Sequence, residues 1–436
     1  MTIKYILTAI GSYGNIVPFL RLGCELHSKG YNVVAITNAS HCKHFDKLNI
    51  VSYPIDTEIE YENYLSRVDE LNHPRTIANI YRDFYLPMVS EEINLIIRLS
   101  EKCQSVIIMN DAPGISARIA AEYLNLPIFS IVTYPNHFTA FSYLEMLLSS
   151  QLHSAITGIR QEFNLPEIGD YGLWWHKVNC FIATWPNWFS QAHAAMSITY
   201  HVGFILPENR SIALKNDSEV KNEILITGGS ATFAGKHFFE TAIRACLTAR
   251  KHFKVIAKKQ IWESFPIKEF GCHISEVDSL FNNIARSSLV IHHGGMGTIG
   301  QCIAQAIPQL ILADGGDRPQ NGKIVQDLKL GIALDKSDWL QDRISSAIDK
   351  LMDSREITKE HEFYASDVIS NDPISRIIEL LESHHVRAHS NQAPSSYEDN
   401  FDQLLMLDRL RTLTPTQRKI LLSKYKLRLH NGLSKL

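Results

Sequence analysis

Two histidines, a run of glycines and a threonine stand together in His292-His293-Gly294-Gly295-Met296-Gly297-Thr298. A short apolar run, Leu289 to Ile291, precedes them, and a second, Leu310 to Ala313, follows Pro308. That order reads as strand, tight turn, helix and strand, with Thr298 opening the helix. A helix start beyond the end of a strand attracts anions, through its unpaired N–H groups and its dipole. The glycines let a phosphate oxygen come close to the main chain. His293 and Thr298 add side-chain hydrogen-bond donors. Asp317-Arg318-Pro319-Gln320-Asn321 follows the second apolar run and brings polar side chains to the same turn. The pattern suits a diphosphate that carries a hydroxyl-rich group. The plain alternative is an ordinary turn between strand and helix with two buried histidines.

These residues need a sheet to carry them, and the rest of the chain reads as one. Tyr5 to Ile10 forms a strand, Gly11-Ser12-Tyr13-Gly14-Asn15 a glycine turn, and Val33 to Ile36 the next strand after a helix closed by Gly30. Such a unit predicts a parallel sheet. The glycines do not follow GxGxxG, and Thr37-Asn38 stand where a dinucleotide fold would place an acid, so a dinucleotide is not expected. Residues 57–100 read as polar helices interrupted at Leu86-Pro87. Ser105 to Met109 is a strand ending at Asn110-Asp111, which places Asp111 where α/β sheets bind ligands. Asp111 also suits the cap of the helix after it. His137 follows the strand Pro127 to Val132 and reads either as a functional group or as a satisfied or solvent-facing histidine. Trp174, Trp175, Trp185 and Trp188 could wall an apolar ligand or pack the core. Ile224 to Thr227 is a strand ending in Gly228-Gly229-Ser230, and Phe253 to Ala257 is another.

The stretch Ser288 to Gly331 resembles the sugar-donor signature of family 1 glycosyltransferases, the group of the macrolide, sterol and rhamnolipid enzymes. The opening Gly11-Ser12-Tyr13-Gly14-Asn15-Ile16-Val17-Pro18 resembles that family's GSxGDVxP turn, and Trp185-Pro186-Asn187-Trp188-Phe189 its FPxWF stretch. The resemblance covers roughly residues 1–385. It implies an α/β protein of the GT-B type, with two doubly wound Rossmann-like domains facing a cleft and a C-terminal helical tail. The implied division is 1–205 for the acceptor, 206–385 for the nucleotide sugar, and 386–436 for a linker and basic tail. It further implies that Gly229, Ser230, His293, Gly295, Gly297 and Thr298 hold the diphosphate and that the Val277 backbone reads the base. Asp317 and Arg318 stand where the family has an Asp-Gln pair reading sugar hydroxyls, so Arg318 is a departure.

Asn15 is a second departure. Inverting enzymes of this family carry a His or Asp there to deprotonate the acceptor, and an amide has no such basicity. Three readings stay open: another base, Asp111 or His137; an acceptor already ionised that needs only positioning; or a weak or inactive catalyst. The expected activity is inverting transfer of a sugar from a UDP- or dTDP-sugar to a small, largely apolar acceptor. The competing expectation is a nucleotide-sugar-binding or scaffold protein within a biosynthetic complex.

Bulk properties agree with a globular enzyme. The 436 residues are 45% hydrophobic and 20% charged, and a net charge of −3 gives no field for nucleic acid. Seven cysteines without a CxxC pair fit a reducing, cytoplasmic setting. No apolar run is long enough to span a membrane, and neither a metal nor a cofactor is expected. After the linker Ser390 to Ser396, Thr414-Pro415-Thr416-Gln417 reads as a capping box opening a basic amphipathic helix. That tail could dock on a protein partner or pack on its own body.

Overall fold

The computed structural model describes residues 3–67, 70, 76–206, 223–229, 234–257, 274–275, 280–353 and 357–389. Ser230, Val277, most of the segment joining the two halves, and the tail beyond 389, which the sequence reads as helical, lie outside the described residues.

The first half is built on β1 (Ile3–Ala9), β2 (Asn32–Thr37), β3 (Val51–Pro54), β4 (Gln104–Asn110), β5 (Ile128–Val132), β6 (Cys180–Ala183) and β7 (Thr199–His201). All pair in parallel, in the spatial order β3-β2-β1-β4-β5-β6-β7. The central strands are nearly continuous apolar runs because helices cover both faces of a parallel sheet; Tyr5, Ile6, Leu7 and Ala9 are fully buried. The order reverses between β1 and β4, the switch point where such sheets leave a crevice beyond the strand ends. Asn110 Nδ2 ties the two ends together through a 2.7 Å bond to the Ile10 carbonyl.

The second half repeats the plan with β8 (Glu223–Thr227), β9 (His252–Ile256), β10 (Ile274–Ser275), β11 (Leu289–His292), β12 (Gln309–Ala313) and β13 (Gly331–Asp335). The order is β10-β9-β8-β11-β12-β13, again parallel. Its switch point lies between β8 and β11, where Thr227 pairs with His292. The Gly228-Gly229 turn and the His293 turn therefore lie side by side.

Two helices carry a proline. The helix Tyr13–Ser28 starts well before Pro18 and runs through it, leaving the Gly14 carbonyl without its usual partner. Leu86-Pro87 does not break the chain into two helices. Ile77–Ile80 passes through a π-helical turn, Tyr81–Tyr85, straight into the helix Leu86–Ser100. The wider turn absorbs the N–H that Pro87 lacks.

Glu92 of that helix is 3% exposed. Ser116 Oγ donates to its Oε2 at 2.5 Å, and Oε1 has no partner. Burial pushes its pKa up to about 7, against which the Ser116 bond is a lesser influence. The folded chain thus holds this proton to higher pH than the unfolded chain. Its stabilisation is present in acid and is lost as pH rises from the ordinary carboxylate range through 7. Relative to wild type, Glu92→Gln should gain on the order of 3 kcal/mol between about pH 4 and about pH 8. Urea titrations of both proteins at both pH values check this, and a constant difference would refute it.

One apolar cluster runs through both halves, joining Ile107, Trp185 and Phe189 to Phe204, Ile299, Ile303 and Val325. A Cβ on Gly300 would stand 3.0 Å from the Phe204 side chain, so the bare glycine seats that ring. Trp188 adds a polar pin: its Nε1 donates to Asp367 Oδ2 at 2.7 Å, and its ring packs on Tyr364 at 4.4 Å between centroids. Both partners belong to the helix Ile357–Ser370. Trp188→Phe keeps the ring contact and removes a bond to a charged acceptor. The urea midpoint should fall by the equivalent of about 1.5 kcal/mol with an unchanged slope.

Candidate active site

β11 ends in His292, which is fully buried. Its Nδ1 accepts the Gly294 N–H at 3.2 Å, so its Nε2–H donates to Gln309 Oε1 at 3.0 Å. Burial pushes its pKa down to about 4. This histidine is a neutral strut under the turn. His293 is different. A Cβ on Gly229 would lie 2.7 Å from its Cε1, and a Cβ on Gly295 2.6 Å from its Nε2. The ring is held between two turns that must both be glycine, and Gly229 also needs its positive φ of 70°. His293 Nδ1 is buried and has no hydrogen-bond partner. Burial, with His292 and Arg318 nearby, pushes its pKa down to about 3. Near neutrality the ring therefore offers one N–H and one lone pair, and no charge.

Gly295 caps the helix Met296–Ala304. Its carbonyl accepts both the Thr298 and Ile299 N–H groups at 3.0 Å. Among the described residues the N–H groups of Met296 and Gly297 have no acceptor. A Cβ on Gly297 would meet nothing within 4 Å, so this end of the helix faces open space. Thr298 is buried beside it. Free N–H groups, a helix dipole and a neutral imidazole form a cradle for an anion.

Beyond β12, Asp317 Oδ2 accepts a 2.6 Å bond from Asn321 Nδ2, which also donates to the Gly294 carbonyl at 3.1 Å. Asn321, read from the sequence only as one of the polar residues near the turn, thus locks Asp317 to the histidine turn. Burial raises the Asp317 pKa, with Asn321 and Arg318 opposing. Arg318 is 4% exposed and donates from Nε to the Gly315 carbonyl at 2.9 Å. Gln320 in the same polar run reaches the other half: its Oε1 accepts from Thr139 Oγ1 at 3.3 Å.

The first half brings Asn15, Asp111 and His137 to the ends of β1, β4 and β5. Asn15 folds over Gly11, whose φ is 125°, and its Oδ1 accepts weakly from Thr133 Oγ1 at 3.5 Å. Asp111 is 1% exposed. It does not cap the next helix, whose N-cap is Gly114. Its Oδ1 accepts from Ser130 Oγ and from Arg118 Nη2, and its Oδ2 from Trp175 Nε1 at 3.0 Å. The Arg118 guanidinium lies 3.8 Å over the Trp175 ring. Burial alone would raise the Asp111 pKa, but Arg118, His137 and the Ser130 hydroxyl outweigh it and hold the carboxyl well below the usual range.

His137 is neither solvent-facing nor isolated. It sits in the short helix Asn136–Thr139, 8% exposed, with Nε2 in close contact with Asp111 Oδ2. Two residues read separately from the sequence are therefore one pair. Tyr134 lies between the halves, its pKa raised by burial and then by the charges of Asp317 and Asp111.

Three of the tryptophans spend their indole N–H groups inside the fold. Trp174, Trp175 and Trp185 are buried, and their indole N–H groups go to Glu122, Asp111 and the Ser190 carbonyl. Tyrosines surround the strand ends instead. Tyr61 OH bonds His41 Nε2 at 2.8 Å and the Gly11 carbonyl at 3.2 Å; Tyr81 OH bonds the Ala112 carbonyl at 2.7 Å. Tyr64 and Tyr85 share a 3.1 Å bond. Their helical spacing within 57–100 was the available signal.

Comparison with known proteins agrees with this geometry. Residues 278–383 match the family described as erythromycin biosynthesis protein CIII-like, C-terminal domain. Glycosyltransferase GtfC of Amycolatopsis orientalis is 19% identical over 379 residues, covering 79% of this chain and 89% of that protein. Among solved structures, the kitacinnamycin glycotransferase superposes with a TM-score of 0.66 at 15% identity, covering 88% of this chain and 98% of its own. VinC, solved in complex with DTDP, gives 0.64 at 14% identity, covering 87% and 98%. No described helix is long and apolar enough to cross a membrane. With two parallel Rossmann-like sheets, the chain has the GT-B fold and is similar to glycosyltransferases, the macrolide-type enzymes among them.

Proposed function

We propose that the protein transfers a sugar from a UDP- or dTDP-sugar to a small, largely apolar acceptor, with inversion at the anomeric carbon. The observation that carries this reading is the His293 ring held between Gly229 and Gly295 beside the two unbonded N–H groups of Met296 and Gly297. That cradle matches a leaving diphosphate, whose growing charge it would meet with dipoles already in place. Asp317, locked by Asn321, would accept from sugar hydroxyls. The buried Arg318 would add its charge beneath the diphosphate rather than read the sugar from open space. The Tyr61, Tyr64, Tyr81 and Tyr85 group favours an apolar acceptor near Asn15 and Asp111.

The test is binding and slow hydrolysis of a panel of uridine and thymidine diphosphate sugars, followed by an acceptor screen. A donor that binds, and releases its nucleoside diphosphate faster when an apolar alcohol or phenol is present, supports the reading. No binding of any donor would overturn it. Tight binding without turnover would return the protein to a purely nucleotide-sugar-binding role.

A further inference from the structure

An alcohol acceptor must lose its proton as its oxygen bonds to the anomeric carbon, and a positioned base speeds that step by about 100- to 10,000-fold. Asn15, in the turn after β1, cannot accept that proton. Asp111 is no better. Its two oxygens already take bonds from Ser130, Arg118 and Trp175 and contact His137, and the cation beside it leaves a weakly basic carboxylate. Tyr134 keeps its own proton, since burial and two carboxylates oppose its ionisation. His137 remains. Its Nε2 lies within ion-pair distance of Asp111 Oδ2 but off hydrogen-bond geometry, while its Nδ1 has no hydrogen bond among the described residues. It shares a short helix with Thr139, whose hydroxyl touches Gln320 of the opposite half. The imidazole thus stands in the part of the first half that meets the sugar-binding half.

We propose that His137 is the general base of this enzyme, and that Asp111, whose charge lies against Nε2, is the positioning residue that leaves Nδ1 to face the acceptor. The inference rests on the glycosyl-transfer reading above. In the step, the acceptor oxygen forms its bond to the anomeric carbon while the bond from that carbon to the diphosphate oxygen breaks. The electron pair leaves with the nucleoside diphosphate. The hydroxyl proton passes to His137 Nδ1 and later to water. Asn15, beside Thr133, is left to orient the acceptor.

The experiment compares wild type and His137→Gln with UDP-glucose and dTDP-glucose, using benzyl alcohol and 4-nitrophenol as acceptors. The nitrophenol is ionised in mildly alkaline buffer and needs no base. The variant is expected to bind UDP or dTDP within twofold of wild type. It should lose about 100-fold or more in transfer to the alcohol and less than about fivefold to the nitrophenolate, and added imidazole should restore part of the alcohol reaction. Equal losses on both acceptors, or no loss on the alcohol, would overturn the assignment. If the variant does not fold, wild type is measured across alcohols and phenols of graded acidity. Rates that vary by less than about tenfold support a protein base, and rates that fall in proportion to acceptor acidity refute it. A wild type that transfers to no acceptor would fail the glycosyl-transfer reading itself, an outcome distinct from an active wild type with an indifferent His137.

Discussion

Replacing His293 with alanine should lower both nucleoside diphosphate affinity and transfer rate by about 100-fold or more, the usual loss when one positioned hydrogen-bond donor to a developing oxyanion is removed. The expectation has a stricter form. Because Gly229 and Gly295 each lie within 2.7 Å of the ring at the Cβ position, Gly295→Ala should displace His293 and reproduce much of the same loss with the histidine present. Combining Gly295→Ala with His293→Ala should then cost little more than either alone, since both remove one interaction. Calorimetric titration with UDP and dTDP reads the affinities. Independent, additive losses would show that the ring and the glycines act separately.

Asp111→Asn carries the largest expected cost in stability. Arg118 is 3% exposed, stacked on Trp175 and paired with this carboxylate. Neutralising Asp111 leaves a buried guanidinium uncompensated, a change worth about 3–5 kcal/mol. For a protein of this size that is about 3–5 °C in melting temperature. Arg118→Met added to Asp111→Asn should recover a good part of it, because a pair removed whole costs less than a pair broken. The sign with pH follows from the depressed carboxyl. Its stabilisation is present above the ordinary carboxylate range and disappears as pH falls through that range toward the folded value. Thermal melts of the single and double variants decide the matter. A loss below about 1 kcal/mol in Asp111→Asn would mean that water reaches Arg118.

The strands that carry the site were legible because they are runs of apolar residues, most of them ending in glycine, Asn-Asp or His-His. Ile6 and Ile291 are fully buried, as such runs require. The sequence does not mark β3, β6, β7, β10 and β13; all but β6 lie at sheet edges. Val51 is 57% exposed, so no apolar signature marks β3. Within the site, His293 and its glycines were visible because they are neighbours in sequence and their chemistry depends on that. The Asp111–His137 pair was not visible as a pair, since it forms only when β4 and β5 lie side by side. Nor could the sequence distinguish tryptophans that line a cleft from tryptophans that brace a carboxylate. Trp175 does the latter through one indole bond to Asp111. Asn321 was legible only as one of the polar residues near the turn, because its particular part lies in reaching back to the Gly294 carbonyl.

The bare Gly300 that seats Phe204 has a consequence for how this molecule can be taken apart. Ile299 and Ile303 flank that glycine on the same helix and belong to the apolar cluster of the first sheet. A fragment holding only the second sheet would present that helix as a naked, sticky stripe with a ring-sized notch in it. Such a fragment should self-associate, and the intact chain should melt in one calorimetric step, with neither sheet surviving the loss of the other.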